Sequence, residues 1–240
     1  MATDKNIPGT TPVRPSQVKL LYLIVYNFAS TVLWLTVLGR TVGATVLRGP
    51  EFVPLAVGSF VRWTQTLALL EVAHSLLGVV RAPVFTTAMQ VASRLLLVWA
   101  VVYPFPNATT TSIFYTSMLL AWSLTEVIRY SYFALSLARS AGGGSSGAGV
   151  ANPPVPDWFT ILRYSTFLVL YPVGISSEVR LVYLAAATPG AAERLHPYYP
   201  YALYAILAVY VPGSYILYTH MLAQRRKVLR RLKAESSKAQ

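Results

Sequence analysis

Long apolar runs alternate with short polar or proline-rich segments along most of this chain of 240 residues. An α-helix needs roughly 20 mainly apolar residues to cross a bilayer. Runs of that length lie at about 18–38, 58–80, 83–104, 112–138, 158–187 and 198–222. The pattern predicts an all-α integral membrane protein, a bundle of about six transmembrane helices that forms a single membrane domain over residues 1–240.

The segments outside these runs predict tails and a linker rather than a second domain. Residues 1–17 form a polar N-terminal tail that lacks the apolar core of a cleavable signal peptide. Residues 140–157 are rich in glycine and serine and then in proline, which is typical of a flexible linker. Residues 223–240 form a basic C-terminal tail.

Composition narrows the class of protein further. Hydrophobic residues make up 55% of the chain and charged residues only 12%, whereas a soluble domain carries about 25% charged residues. The chain contains no cysteine. Disulfides, thiolate nucleophiles and cysteine-ligated metal sites are therefore excluded.

The net charge of +12 is concentrated at the C-terminus, where seven of the 20 Lys and Arg residues lie in the last 16 positions. In a membrane protein such a tail marks the cytosolic side, because segments rich in Lys and Arg resist translocation. No nucleic-acid partner is expected. An even number of spans returns the chain to its starting side, so both termini and the linker at 140–157 are predicted to be cytosolic.

Three of the eight acidic residues, Glu71, Glu126 and Glu178, fall inside predicted spans, where ionisable groups are costly and often functional. Glu126 and Arg129 are spaced i, i+3, which favours an ion pair within one helix. Mutual neutralisation explains this pair at least as well as catalysis. Glu71 and His74 share a helix face and could ligate a metal, but an interhelical hydrogen bond of His74 is the favoured interpretation, and no metal is expected.

The depth of the polar residues predicts a cavity. Counted from the start of each span, Glu71, Arg94, Glu126 and Tyr171 all lie 11 to 14 residues into the membrane. Although the spans alternate in direction, these side chains are expected to share one layer near the middle of the bilayer. A shared polar layer is typical of a polar cavity inside a helix bundle.

The fifth span carries the most unusual pattern. Tyr164, Tyr171 and Glu178 recur every seven residues and therefore share one helix face. Such a stripe usually serves packing, but a tyrosine stripe that ends in a carboxylate favours function, because a phenol and a carboxylate suit general acid–base chemistry. Pro172 and Gly174 predict a local distortion of the helix beside this pair.

Five segments, taken in order, resemble one protein family. They are YLIVYNFASTVLW, LLEVAHSLLGVVRAP, MQVASR, WSLTEVIRYSYFAL and LRYSTFLVLYPVGISSEVRLVY, one in each of the first five spans. The last segment contains the spacing Tyr-Pro-x-Gly-x-x-x-Glu. Together they resemble the very-long-chain (3R)-3-hydroxyacyl-CoA dehydratases, also called protein-tyrosine-phosphatase-like proteins, of the endoplasmic-reticulum elongation cycle. The resemblance covers most of the chain.

The resemblance implies a hydro-lyase that converts a (3R)-3-hydroxyacyl-CoA into the trans-2-enoyl-CoA during very-long-chain fatty acid elongation. It implies that Tyr171 and Glu178 are catalytic, with Arg129, Tyr164 and Glu126 as weaker supporting or substrate-binding candidates. We favour Glu178 as the base that takes the C2 proton and Tyr171 as the donor to the departing C3 hydroxyl. The sequence leaves the opposite assignment open.

The same resemblance implies a setting and partners. A multi-pass protein of the endoplasmic reticulum membrane is expected, which binds a long-chain 3-hydroxyacyl-CoA, lies in the lipid bilayer and works beside other fatty acid elongation enzymes without any cofactor. The acyl chain is expected within the bundle and the CoA phosphates near cytosolic basic residues such as Arg81 or Arg139. The alternatives are a non-catalytic membrane scaffold of the elongation machinery and a small transporter that uses the same polar layer.

The basic tail generates a prediction about topology. We expect a tag at the C-terminus to be digested by protease added to sealed microsomes without detergent, because the tail resists translocation. A tag at the N-terminus should behave in the same way. Protection of either tag until detergent is added would contradict the predicted topology.

Overall fold

The computed structural model describes residues 17–142 and 155–237, and every regular element within these two ranges is helical. The α-helices in chain order are α1 Gln17–Arg48, α2 Val53–Thr66, α3 Leu69–Leu76, α4 Val84–Leu95, α5 Pro106–Thr109, α6 Ile113–Gly142, α7 Asp157–Ser165, α8 Phe167–Ala186, α9 Ala191–Arg194 and α10 Tyr199–Ser236. A 3₁₀ turn at Pro50–Phe52 precedes α2, and a π-helix at Leu96–Val102 continues α4. The predicted tail at 1–16 and most of the predicted linker, 143–154, lie outside the described residues.

Four helical stretches among the described residues are long and apolar enough to cross a membrane. They are Gln17–Arg48, Val84–Val102, Asp157–Ala186 and Tyr199–Ser236. Helix α6 has sufficient length, with 30 residues, but Glu126, Arg129 and many hydroxyl-bearing side chains make it more polar. The all-α membrane fold is thus confirmed for these ranges, and the count of six spans stays a prediction.

The second predicted span, 58–80, is not one continuous helix. It is divided into α2, which ends at Thr66, and α3, which begins at Leu69. Between them the backbone N–H of Ala68 donates to the carbonyl of Gln65 at 3.1 Å, and that of Glu71 donates to Ala68 at 3.0 Å. These i→i−3 bonds are those of a 3₁₀ turn, which winds more tightly than an α-helix. The sequence gives no sign of this turn, since neither glycine nor proline lies in it.

Helix α3 ends in a glycine motif that the sequence does contain. Gly78 has φ +66°, a left-handed conformation that side chains with a Cβ rarely adopt. Its N–H donates to the carbonyl of Ser75 at 3.3 Å, and the N–H of Val79 donates to His74 at 2.8 Å. This pair of bonds is a Schellman motif, and it closes the last turn of the helix.

The fifth predicted span also contains an interruption, and its position differs from the prediction. Pro172 lies inside α8, and the helix continues through it and through Gly174. The break between α7 and α8 falls instead at Thr166. Pro172 has no N–H for the carbonyl of Leu168 and its ring crowds that carbonyl, so the irregularity lies on its N-terminal side.

Helix α6 is the centre of the bundle, because α1 packs along one side of it and α8 along another. Helix α10 lies against α8, on the side away from α1. The buried core joins these helices to α2 and the π-helix. Its members include Trp34, Val37, Val57, Leu97, Met118, Leu119, Leu181 and Val182.

The contact between α6 and α8 is close because small side chains meet there. The hydroxyls of Ser117 and Ser177 are 2.8 Å apart and form a hydrogen bond. A Cβ at Gly174 would lie 3.6 Å from the Cβ of Ala121. Small residues at a helix–helix contact let two backbones approach within a membrane.

The π-helix after α4 provides a second connection to α10. The N–H of Tyr103 donates to the carbonyl of Val98 at 3.2 Å, which is the wide i→i−5 spacing of a π-helix. Within this segment the carbonyl of Ala100 accepts a hydrogen bond from the Tyr199 hydroxyl at the start of α10. This bond holds the first turn of α10, the helix that contributes to the site described below.

The close approach of α6 and α8 predicts different effects for two substitutions of Gly174. Gly174→Ala should be tolerated, because its Cβ makes ordinary contact with Ala121. Gly174→Val should lower stability by about 1–3 kcal/mol, the usual cost of overpacking, in a thermal unfolding assay in detergent. Gly43→Val is the matched control, since no atom lies within 4 Å of a Cβ at Gly43. Equal melting temperatures for the two valine variants would contradict this account.

Candidate active site

The carboxylate of Glu178 lies where α6, α8 and α10 meet. Its Oε1 accepts a hydrogen bond from the indole Nε1 of Trp122 on α6 at 2.8 Å. Its Oε2 accepts one from the hydroxyl of Tyr210 on α10 at 3.1 Å. Two neutral donors from two different helices therefore hold this carboxylate in one orientation.

Tyr171 lies two turns before Glu178 on α8 and also faces α10. Its hydroxyl donates to the backbone carbonyl of Ser214 at 3.2 Å. Its ring stacks on Tyr218, with the ring centroids 5.9 Å apart. The ring is thus held by packing, while the hydroxyl is held by a single backbone acceptor.

The two side chains reach α10 at different levels along that helix. Their backbones are separated by seven residues of helix, about 10 Å along the axis. On α10, Glu178 contacts Tyr210, whereas Tyr171 contacts Ser214 and Tyr218, which lie four and eight residues further along, or about 6 and 12 Å. Within the described residues Tyr171 and Glu178 make no hydrogen bond to each other. A carboxylate and a phenol therefore lie along the same contact between α8 and α10 without being paired with each other.

A second polar cluster joins α3, α4 and α6. The guanidinium of Arg129 donates twice to Glu71, at 3.0 and 2.7 Å, and its Nε donates to Oε2 of Glu126 at 2.6 Å. Arg94 on α4 donates to the other oxygen of Glu126, and the Tyr130 hydroxyl donates to Glu71. Two carboxylates and two guanidinium groups thus balance in charge, which is what buried charges in an apolar bundle require.

These contacts confirm the predicted ion pair between Glu126 and Arg129, and they bring Glu71, Arg94 and Glu126 together as the depth argument predicted. Tyr171 does not join them, because its contacts lie on α10. The two clusters are neighbours through one ring, since the guanidinium of Arg94 lies 5.1 Å from the ring centroid of Trp122. Trp122 thus contacts a charged network on its face and the Glu178 carboxylate through its N–H.

His74 makes the interhelical hydrogen bond that the sequence favoured. Its Nε2 lies 2.7 Å from the hydroxyl of Tyr22 on α1. The ring of Tyr26, one turn further along α1, meets His74 edge-on at 4.8 Å. Among the described residues no group of three or more His, Cys, Asp or Glu side chains could hold a metal ion.

The structure places the weaker candidates at some distance from the Tyr171–Glu178 pair. The Arg129 guanidinium is occupied by Glu71 and Glu126. The Tyr164 ring packs against the guanidinium of Arg163, 5.6 Å away, on the far side of the break between α7 and α8. Supporting roles for Arg129, Tyr164 and Glu126 therefore stay predictions.

Two residues that contact Glu178 were not among the sequence candidates. Trp122 precedes Glu126 by four residues, which places both on one face of α6. Tyr210 is a polar interruption of an apolar run, two residues before Pro212. Both signals exist in the sequence, but only the packing of three helices shows that they converge on one carboxylate.

A protein-family model described as protein tyrosine phosphatase-like protein, PTPLA, matches residues 65–231, which contain all the groups around Glu178 described above. The chain belongs to this family. No solved structure matches it.

Curated relatives extend the match over nearly the whole chain. A protein of Schizosaccharomyces pombe named probable very-long-chain (3R)-3-hydroxyacyl-CoA dehydratase is 42% identical over 90% of this chain and 96% of its own length. The Oryza sativa subsp. japonica dehydratase PASTICCINO 2A is 43% identical over 91% of this chain and 97% of its own length. The Homo sapiens very-long-chain (3R)-3-hydroxyacyl-CoA dehydratase 2 is 32% identical over 87% and 80%, respectively.

The charged cluster predicts a stability defect that an exposed ion pair should not show. In Glu126→Gln, Arg94 and Arg129 lose a carboxylate whose side chain is 4% exposed. Breaking a buried pair costs about 3–5 kcal/mol, so we expect a clear fall in melting temperature and in the yield of folded protein. The matched control is Glu235→Gln, which removes a carboxylate that is 57% exposed and pairs only with Arg231, and its effect should be below about 1 kcal/mol. Similar melting temperatures for both variants would show that the cluster contributes little to stability.

Proposed function

We propose that this protein dehydrates (3R)-3-hydroxyacyl-CoA to trans-2-enoyl-CoA in very-long-chain fatty acid elongation, with Tyr171 and Glu178 as its catalytic residues. Curated relatives of nearly the same length carry the name of this activity. The observation that carries the residue assignment is that both side chains lie on the face of α8 that contacts α10, without a hydrogen bond between them within the described residues. The chemistry is a hydro-lyase reaction, so it transfers no electrons to a cofactor.

The geometry supports a mechanism with separate roles for the two groups. Glu178 takes the C2 proton of the substrate, and the electron pair of that C–H bond forms the C2=C3 double bond. Tyr171 donates its phenolic proton to the C3 hydroxyl, which leaves as water. Glu178 then carries one proton more and Tyr171 one proton fewer, so one net proton transfer between them restores the site. General acid–base catalysis of this kind contributes about 10²–10⁴ to the rate.

The neighbours of Glu178 have positioning roles in this proposal. A general base must lie within hydrogen-bond reach of the proton that it abstracts. The N–H of Trp122 and the hydroxyl of Tyr210 fix both carboxylate oxygens, so the base does not rotate away from the substrate. The charged cluster around Arg129 fixes the face of Trp122 through Arg94.

The cellular setting is also part of the proposal. Six apolar runs in the sequence support a bundle of six transmembrane helices, and the basic tail supports cytosolic termini. Membership in a family of elongation enzymes supports the endoplasmic reticulum membrane as the location, and other elongation enzymes as partners.

The proposed pair generates the most direct test of function. Tyr171→Phe removes only a hydroxyl, and Glu178→Gln removes only the ionisable group, so both variants should keep the fold. Each should lower the turnover of a purified 3-hydroxyacyl-CoA by about 10² or more, measured as enoyl product by mass spectrometry. The double variant should be only slightly slower than the slower single variant, because groups that act as a unit are non-additive.

Two outcomes would overturn the proposal. Near wild-type turnover by both folded single variants would remove Tyr171 and Glu178 from the chemistry. Failure of the wild-type protein to dehydrate any 3-hydroxyacyl-CoA would instead favour the non-catalytic scaffold. Ser176→Ala on the same helix is the control for the assay, because that exposed hydroxyl donates only to the carbonyl of Val173.

A further inference from the structure

The contact between α8 and α10 forms a continuous seam that runs away from Glu178. Glu178 meets Tyr210, and Tyr171 meets Ser214 and Tyr218. Further along, the ring of Phe167 packs edge-on against Tyr218 at 5.8 Å. The seam ends where the Nε of Arg225 donates to the Ser165 hydroxyl at 3.0 Å. Along α10 the contacts thus progress steadily from the carboxylate to an arginine.

This seam is not closed by protein within the described residues. Leu203 is the only fully buried residue that those ranges show in the 38 residues of α10. Tyr171, Glu178, Tyr210 and Tyr218 are all partly exposed. The aromatic side chains of the seam are therefore accessible from one side, along the whole contact between Glu178 and Ser165.

The far end of the seam is strongly basic. Helix α10 is about 57 Å long, which exceeds the roughly 30 Å hydrocarbon core of a bilayer, so its last turns project beyond the membrane. These turns contain Arg225, Arg226, Lys227, Arg230 and Lys233. Of the carboxylates in the described ranges, only Glu235 pairs with this segment, and it pairs with Arg231. Because Arg225 uses its Nε on Ser165, its two terminal nitrogens remain available for an anion.

We propose that Arg225, with Arg226 and Arg230, binds the phosphates of the CoA moiety, and that the pantetheine arm lies along the α8–α10 seam. This inference rests on the proposed function, because it places the thioester at Tyr171 and Glu178. The axial separation of Tyr210 and Arg225 is about 22 Å, a distance that an extended pantetheine arm spans together with its diphosphate and the arginine side chain. The guanidinium groups supply charge-assisted hydrogen bonds to phosphate, the strongest kind available to a side chain.

The proposal differs from the placement that the sequence alone gave. Arg81 and Arg139 were expected to contact the CoA phosphates as cytosolic basic residues. The connected contacts from Glu178 to the basic segment lead instead to Arg225, which is already oriented by Ser165. An oriented arginine loses less conformational freedom when it binds a phosphate.

Equilibrium binding tests this inference independently of turnover. The probes are a saturated long-chain acyl-CoA and the same acyl group on pantetheine, which lacks the phosphates. Neither probe has a 3-hydroxyl group, so neither can be dehydrated. The wild-type protein in detergent should bind the CoA thioester at least about 10-fold more tightly, since a single charge-assisted hydrogen bond to a phosphate already contributes a factor of about this size. Arg225→Gln should reduce this ratio, and the variant with Arg225→Gln, Arg226→Gln and Arg230→Gln should bring it close to one. Affinity for the pantetheine thioester should not change.

A control variant and a parallel measurement of turnover complete the experiment. Arg48→Gln removes one exposed charge at the C-terminal end of α1. It should leave the ratio of the two thioester affinities unchanged. The inference is overturned if the wild-type protein binds both thioesters equally, if the triple variant weakens both equally, or if Arg81→Gln and Arg139→Gln abolish the discrimination instead. Turnover of a 3-hydroxyacyl-CoA is measured on the same preparations. In the wild-type protein, absence of turnover with clear discrimination between the two thioesters counts against the proposed function, whereas turnover without discrimination counts only against the phosphate site.

Discussion

The neutralisation of Glu71 and Glu126 by the guanidinium groups of Arg129 and Arg94 is the interaction on which the rest of the bundle depends. Removing a charge from water into an apolar interior costs several kcal/mol unless partners and hydrogen bonds compensate it. Arg129 contacts both carboxylates, and Arg94 satisfies the second oxygen of Glu126. Because these groups come from α3, α4 and α6, compensation is possible only when the three helices are docked in one arrangement.

Helix α6 transmits that arrangement to the candidate site. Glu126 lies one helical turn after Trp122 on α6. The guanidinium of Arg94, which pairs with Glu126, lies over the Trp122 ring. A fixed indole directs its N–H to Glu178 on α8. On the same helix Ser117 and Ala121 hold α8 close. The position of the proposed base thus follows from packing and charge compensation on a neighbouring helix rather than from its own helix alone.

Much of the fold and part of the candidate site could be predicted from the sequence. What could not be predicted depends on contacts between helices. Helix content follows from apolar runs, and the Glu126–Arg129 pair follows from i, i+3 spacing, because both depend on neighbours in the chain. The turn between α2 and α3 has no residue signal of its own, and the break at Thr166 lies six residues before Pro172, the residue that predicts a distortion. They arise where tertiary packing adjusts a helix. The roles of Trp122 and Tyr210 depend on contacts across helices, which spacing within one helix cannot give.

Glu126 and Glu178 have different partners in the described residues, and this difference supports the roles proposed for them. Glu126 is held by two guanidinium groups, so a change in its protonation state would break two ion pairs. Glu178 is held only by the neutral N–H and O–H groups of Trp122 and Tyr210, so accepting a proton there breaks no ion pair. A base must change its protonation state in every cycle, and a structural ion must not. The partner sets therefore support the proposal that Glu178 is the base, and they favour Glu126 as an ion that holds the helices together.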